Sequence, residues 1–168
     1  MNNQNHLPAI CVSNAGLAAG TTTTYTRGNA VNGSIRGKAI TELASASNTA
    51  TPTTDWAGNA FTALPGGQDA GRTKGSICVF VFCAVAAGTH AVVQGPVLDL
   101  EDENDGIKDG TRPQFPAIDD TLMPFGYVIV KALDAASAWT FGASNWTATG
   151  IEDTYVNVHF LPDRPDEP

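Results

Sequence analysis

The densest set of side chains able to do chemistry is acidic. Glu101, Glu103, Asp105, Gly106 and Asp109 echo positions 1, 3, 5, 6 and 9 of a helix-loop-helix calcium loop, where carboxylate and carbonyl oxygens surround a hard cation. The match breaks at both ends. The first ligand is Glu in place of Asp, the twelfth position holds Arg112 in place of a bidentate Glu, and no helical pattern flanks the loop. The stretch therefore reads first as a solvated acidic loop, with Glu101, Glu103, Asp105 and Asp109 as candidates for a looser calcium site.

Other chemistries find less. Zinc would have to use Cys78, Cys83, His90 and His159, which lack paired close spacing, and Cys78 and Cys83 point to opposite faces if they share a strand. Together with Cys11 they make an odd number of cysteines, which favours buried free thiols over a disulfide framework. No serine stands in a Gly-x-Ser-x-Gly elbow, and no phosphate-cradling glycine loop occurs. Asp119 and Asp120 are neighbours on a loop, which says nothing about the separation that glycoside hydrolysis needs. The expectation is a protein that is not an enzyme and carries no cofactor. Exposed indoles at Trp139 and Trp146 would suit stacking on a sugar face, but packing in a core or an interface is the commoner use of large aromatics.

Strands must carry these residues. Ile77 to Val85 is apolar on both faces and rich in β-branched and aromatic residues, a strand covered on each side by a second sheet or a neighbouring subunit. It turns at Ala87-Gly88-Thr89 and returns through Ala91 to Leu98, giving a hairpin over 76–99. A second hairpin is expected from Gly126–Leu133 through Asp134-Ala135-Ala136-Ser137 to Ala138–Phe141. The last strand, Thr154–Leu161, alternates Tyr155, Asn157, His159 and Leu161 against Thr154, Val156, Val158 and Phe160. Asn32-Gly33 suggests the turn of a further hairpin, Thr41–Ser47 a single helical turn, and Trp56, Phe61 and Leu64 anchors to the core. The fold class is all-β, an antiparallel sandwich or a jelly-roll or barrel-like domain. Residues 1–24, nearly free of charge, form an extended N-terminal arm, and 25–168 a single domain with an acidic, proline-rich loop over 99–124 between the two hairpins.

Composition agrees. Of 168 residues only 15% are charged, with 17 Gly and 10 Pro, which disfavours a helical bundle and favours short strands with many turns. The net charge of −8 and the absence of a Lys/Arg cluster argue against nucleic acid and anionic membrane as partners. No window approaches the roughly 20 apolar residues of a membrane helix, and the start lacks a secretion-signal pattern, so cytoplasmic synthesis is expected.

Five stretches carry a likeness: Gln94-Gly95-Pro96-Val97, Pro113-Gln114-Phe115-Pro116-Ala117-Ile118, Pro124 to Ala132, Trp139-Thr140-Phe141-Gly142 and Leu161-Pro162-Asp163-Arg164-Pro165. Over about residues 30–165 the chain resembles the head-decoration or cement proteins of tailed bacteriophages. The resemblance implies a virion protein on the capsid exterior, assembled in the host cytoplasm, with the major capsid protein as partner and a symmetric homo-oligomer, such as a trimer, as its form. Tyr25, Phe115, Phe125, Trp139 and Trp146 are the interface candidates. A carbohydrate-binding module of a phage fibre or adhesin, using calcium in the acidic loop, is the competing expectation.

Overall fold

The computed structural model describes residues 9–69, 71, 74–100 and 112–165. The chain is all-β, with three antiparallel sheets in a sandwich-like arrangement and no helix among the described residues. Its strands are β1 (Ile10–Cys11), β2 (Leu17–Ala19), β3 (Tyr25–Arg27), β4 (Gly33–Ile35), β5 (Lys38–Ala39), β6 (Ala46–Thr49), β7 (Ser76–Val85), β8 (His90–Gln94), β9 (Leu98–Asp99), β10 (Leu122–Ala132) and β11 (Ile151–Asn157). The main sheet runs β11-β10-β7-β8, with β9 pairing the start of β7; the small sheets are β1-β4-β5 and β2-β3-β6.

Strand β7 is buried on both faces, and its two faces serve two cores. Cys78, Phe80, Phe82 and Ala84 point into the larger core with Tyr25, Phe61, Leu64, Phe125, Trp139, Phe141 and Trp146. Ile77, Val79, Val81 and Cys83 point into the smaller one with Leu122, Tyr127 and Ile129. The second face is covered by the chain itself. Phe115 and Ile118 from the proline-rich crossover and Val158 and Leu161 from the C-terminal segment pack there, with Phe115 edge-on to Tyr127 at 5.0 Å.

Strand β10 feeds both cores through a bulge. Its register against β7 shifts between Pro124 and Gly126, so Met123 and Phe125 share a face with Val128 and Val130 although simple alternation would separate them. Pro124 has no N–H to give a ladder and suits the irregularity. A Cβ on Gly126 would collide with Cδ1 of Leu17 and with the Val156 carbonyl oxygen of β11, so the glycine makes the notch that seats Leu17 of β2 on the main sheet.

Several expectations change. The first hairpin stands as β7-β8, but β10 returns through β11, while Trp139 bridges Leu64 in place of pairing with β10. The segment 138–141 is short and its aromatics are drawn into the core, which leaves the edge of β10 to the longer Ile151–Asn157. The turn of the β4-β5 hairpin is Arg36-Gly37, both at positive φ (50° and 75°), and Asn32-Gly33 leads into β4. Residues 46–49 form a strand where a helical turn was expected nearby. Phe61 and Leu64 anchor as expected, whereas Trp56 is 47% exposed. Of the expected arm, residues 1–8 lie outside the described residues. From β1 onward the chain belongs to the domain, with Cys11, Ala15 and Leu17 buried.

Candidate interaction surface

Four of the five aromatic interface candidates are core residues. Tyr25, Phe125, Trp139 and Trp146 are buried, and only Phe115 is half-buried. Both indoles are held by their N–H groups: Trp139 Nε1 donates to the Asn145 carbonyl at 3.0 Å and Trp146 Nε1 to that of Thr24 at 2.8 Å. Their faces meet other aromatics, with ring centroids 5.0 Å apart between Trp139 and Trp146 and 5.8 Å between Phe141 and Trp146. Neither indole is free to stack on a sugar.

The thiols divide as their spacing implies, Cys78 into the larger core and Cys83 into the smaller, and all three cysteines are free and buried. Burial pushes Cys78 up to about 12 although Gln94 Nε2 donates a hydrogen bond to its sulfur, and pushes Cys83 up as well. Thiolate chemistry is suppressed at both. His90 sits edge-on to Tyr25 at 5.6 Å, its pKa lowered first by burial and then by the Arg27 charge. His159 lies elsewhere, its Nδ1 2.9 Å from the Cys11 carbonyl oxygen. Among the described residues no three His, Cys, Asp or Glu converge on a metal-sized site. Glu101, Glu103, Asp105 and Asp109, the calcium candidates, lie outside the described residues.

The neighbouring carboxylates have separate tasks. Asp120 pairs with Arg36, while Asp119 accepts from the backbone N–H and hydroxyl of Thr121, bonds that hold its carboxyl below the usual range. Beside them, Ile35, Lys38, Ala39 and Ala86 line an open hollow of about 180 Å³.

The feature that sequence reasoning missed is apolar and exposed. On β1, Cys11 points inward and its neighbours outward, leaving Ile10 40% and Val12 68% exposed. The Cys11 N–H donates to the carbonyl of His159 at 2.9 Å, which places Phe160, 68% exposed, one residue from the same strand. The alternating burial of a two-residue strand is too short to read, and the pairing of Cys11 with His159 spans nearly the whole sequence. Equally hidden was Arg27, 5% exposed, whose guanidinium donates to the Tyr25 hydroxyl and the Ala44 carbonyl.

No family model, curated protein or solved structure matches the chain.

Proposed function

We propose that the chain is a capsid decoration protein of a tailed bacteriophage, an oligomer that binds the outer surface of the head and stabilises contacts between neighbouring shell subunits. The observation that carries this reading is the exposed apolar set Ile10, Val12 and Phe160, presented on strand and strand-end backbone tied together by the Cys11–His159 bond. Exposed apolar side chains on a rigid sheet margin fit a docking surface, because burying them drives association without first ordering a loop. The sequence resemblance supplies the partner, the major capsid protein. A reading as a carbohydrate-binding module loses the two indoles it relied on, since both are buried.

The test uses expanded heads of the encoding phage and co-sedimentation. Changing Val12 and Phe160 to Ser alters exposed positions. If both side chains become fully buried on docking, about 2–4 kcal/mol is lost, a roughly thirtyfold or greater weakening. Full-length chain that fails to bind heads, or a double variant that binds with unchanged affinity, refutes the proposal. A truncation should stop at residue 8, since the next residues include the buried Cys11, Ala15 and Leu17.

A further inference from the structure

We infer that the outer edge of β11 pairs with β11 of a second copy about a two-fold axis at Thr154, joining two main sheets into one. The inference is independent of shell binding.

The hydrogen-bond parity identifies the open groups. Val158 donates its N–H to the Phe125 carbonyl, and Leu133 donates to the Gly150 carbonyl, both on the same antiparallel register as the β10-β11 ladder. Even-numbered residues of β11 therefore exchange bonds with β10, and Asp153, Tyr155 and Asn157 direct their N–H and C=O groups away from it. β11 is the last strand of its sheet, and among the described residues none pairs with that side between Asp153 and Asn157. The opposite edge differs: Trp56 donates its N–H to the Val92 carbonyl, and the Gln94 side chain bonds both backbone groups of Thr62, so β8 is covered. An edge left open on one side only is a template for strand addition.

The residues on the edge limit the registers that a second copy can take. Centred on Asp153, an antiparallel pair would set Asp153 against its own copy, a like-charge contact. Centred on Tyr155, it would set Ile151 opposite His159, whose carbonyl already accepts from Cys11. Centred on Thr154, it sets Thr154 against Thr154, Asp153 against Tyr155, Glu152 against Val156 and Ile151 against Asn157. No like charges then sit directly opposite each other and the Cys11 bond is left intact; because the Ile151 N–H already donates to the Ala148 carbonyl, the Ile151–Asn157 pair closes through the Asn157 N–H to the Ile151 carbonyl alone. A perpendicular two-fold keeps equivalent faces on the same side, so Ile151 and Tyr155, which pack toward the larger core, stay aligned in both copies.

Sedimentation velocity of the full chain over a dilution series is expected to show a dimer dissociating to monomer. Asp153→Pro removes an outward N–H and none of the bonds to β10, and is expected to be monomeric at concentrations where the native chain is dimeric. Thr154→Lys and Thr154→Glu supply the arm that survives a folding defect in the proline variant. Each alone places like charges across the axis and is expected to be monomeric, and an equal mixture is expected to form a one-to-one heterodimer. A native chain that is monomeric or trimeric throughout, single-charge variants that dimerise like the native chain, or a mixture that stays monomeric overturns the inference.

Discussion

Phe82 lies where β3 of one small sheet, two strands of the main sheet and the segment after β10 meet, so truncating it tests the packing of the larger core. The ring is fully buried, with centroids 4.7 Å from Tyr25, 6.0 Å from Phe141 and 6.3 Å from both Phe125 and Tyr155. Those neighbours come from β3, the segment after β10, β10 itself and β11, so no single element can move in to fill the space left by an alanine. A void that cannot collapse carries both the transfer and the cavity cost, about 3–5 kcal/mol for Phe to Ala. Against a total stability of about 5–15 kcal/mol, that is a large fraction. With a urea slope of about 2–3 kcal/mol per molar for a chain of this size, the midpoint should fall by roughly 1–2 M. Urea unfolding followed by fluorescence reads it directly, because Trp139 and Trp146 are buried and change environment together; replacing the exposed Trp56 by Phe removes the background. Phe80, stacked on Phe141 at 4.6 Å, should behave alike. A loss below about 1 kcal/mol for both variants would refute the view that this face of β7 is the centre of the fold.

Gly126→Ala should destabilise by about 1–3 kcal/mol because its Cβ overlaps Leu17 and also meets the Val156 carbonyl oxygen at 2.7 Å, and Leu17→Ala in the same chain should restore only the part owed to Leu17. Additive costs in chemical denaturation would show that the notch is not the reason for the glycine. Stability should also fall as pH rises from about 9. Burial raises Cys78 and Cys83 above the usual thiol value and Tyr25 and Tyr155 above the usual phenol value, so the unfolded chain releases protons that the folded chain keeps. The contribution is therefore complete below the unfolded thiol pKa, declines above it, and declines more steeply once unfolded tyrosines ionise near pH 10. A urea midpoint that is constant from pH 8 to 11 would contradict it.

The two-sided burial of β7, the opposite faces of Cys78 and Cys83 and the hairpin into β8 were legible because they depend on period-two alternation within one segment. The partner of β10 was not. Gly126–Leu133 is followed by two expected strands, Ala138–Phe141 and Thr154–Leu161, the second of which forms over Ile151–Asn157, and the choice between them rests on where Trp139, Phe141 and Trp146 find space, which is a tertiary matter. The bulge at Pro124 likewise shifts the alternation by one residue and hides the shared face of Phe125 and Val128. For the candidate surface the failure had the same origin. Large aromatics mark a core and an interface equally well in a sequence, and here Tyr25, Phe125, Trp139 and Trp146 complete the core, while the exposed apolar residues include, besides Trp56, the inconspicuous Ile10, Val12 and Phe160.

Strand β1 ties that surface to the interior. It is two residues long, yet it is bonded on one side to β4 and on the other to His159, and Cys11 is packed in the larger core. Ile10 and Val12 are therefore held by the same backbone whose alternate side chain is immobilised in the domain. A partner that buries them meets groups already ordered, so little of the gain is lost to fixing a mobile segment. The cost of that order is borne in folding. Substitutions at Cys11 should weaken docking through β1 even though the thiol never reaches the surface, whereas substitutions at Trp56, exposed on a turn at the opposite sheet edge, should leave docking unchanged.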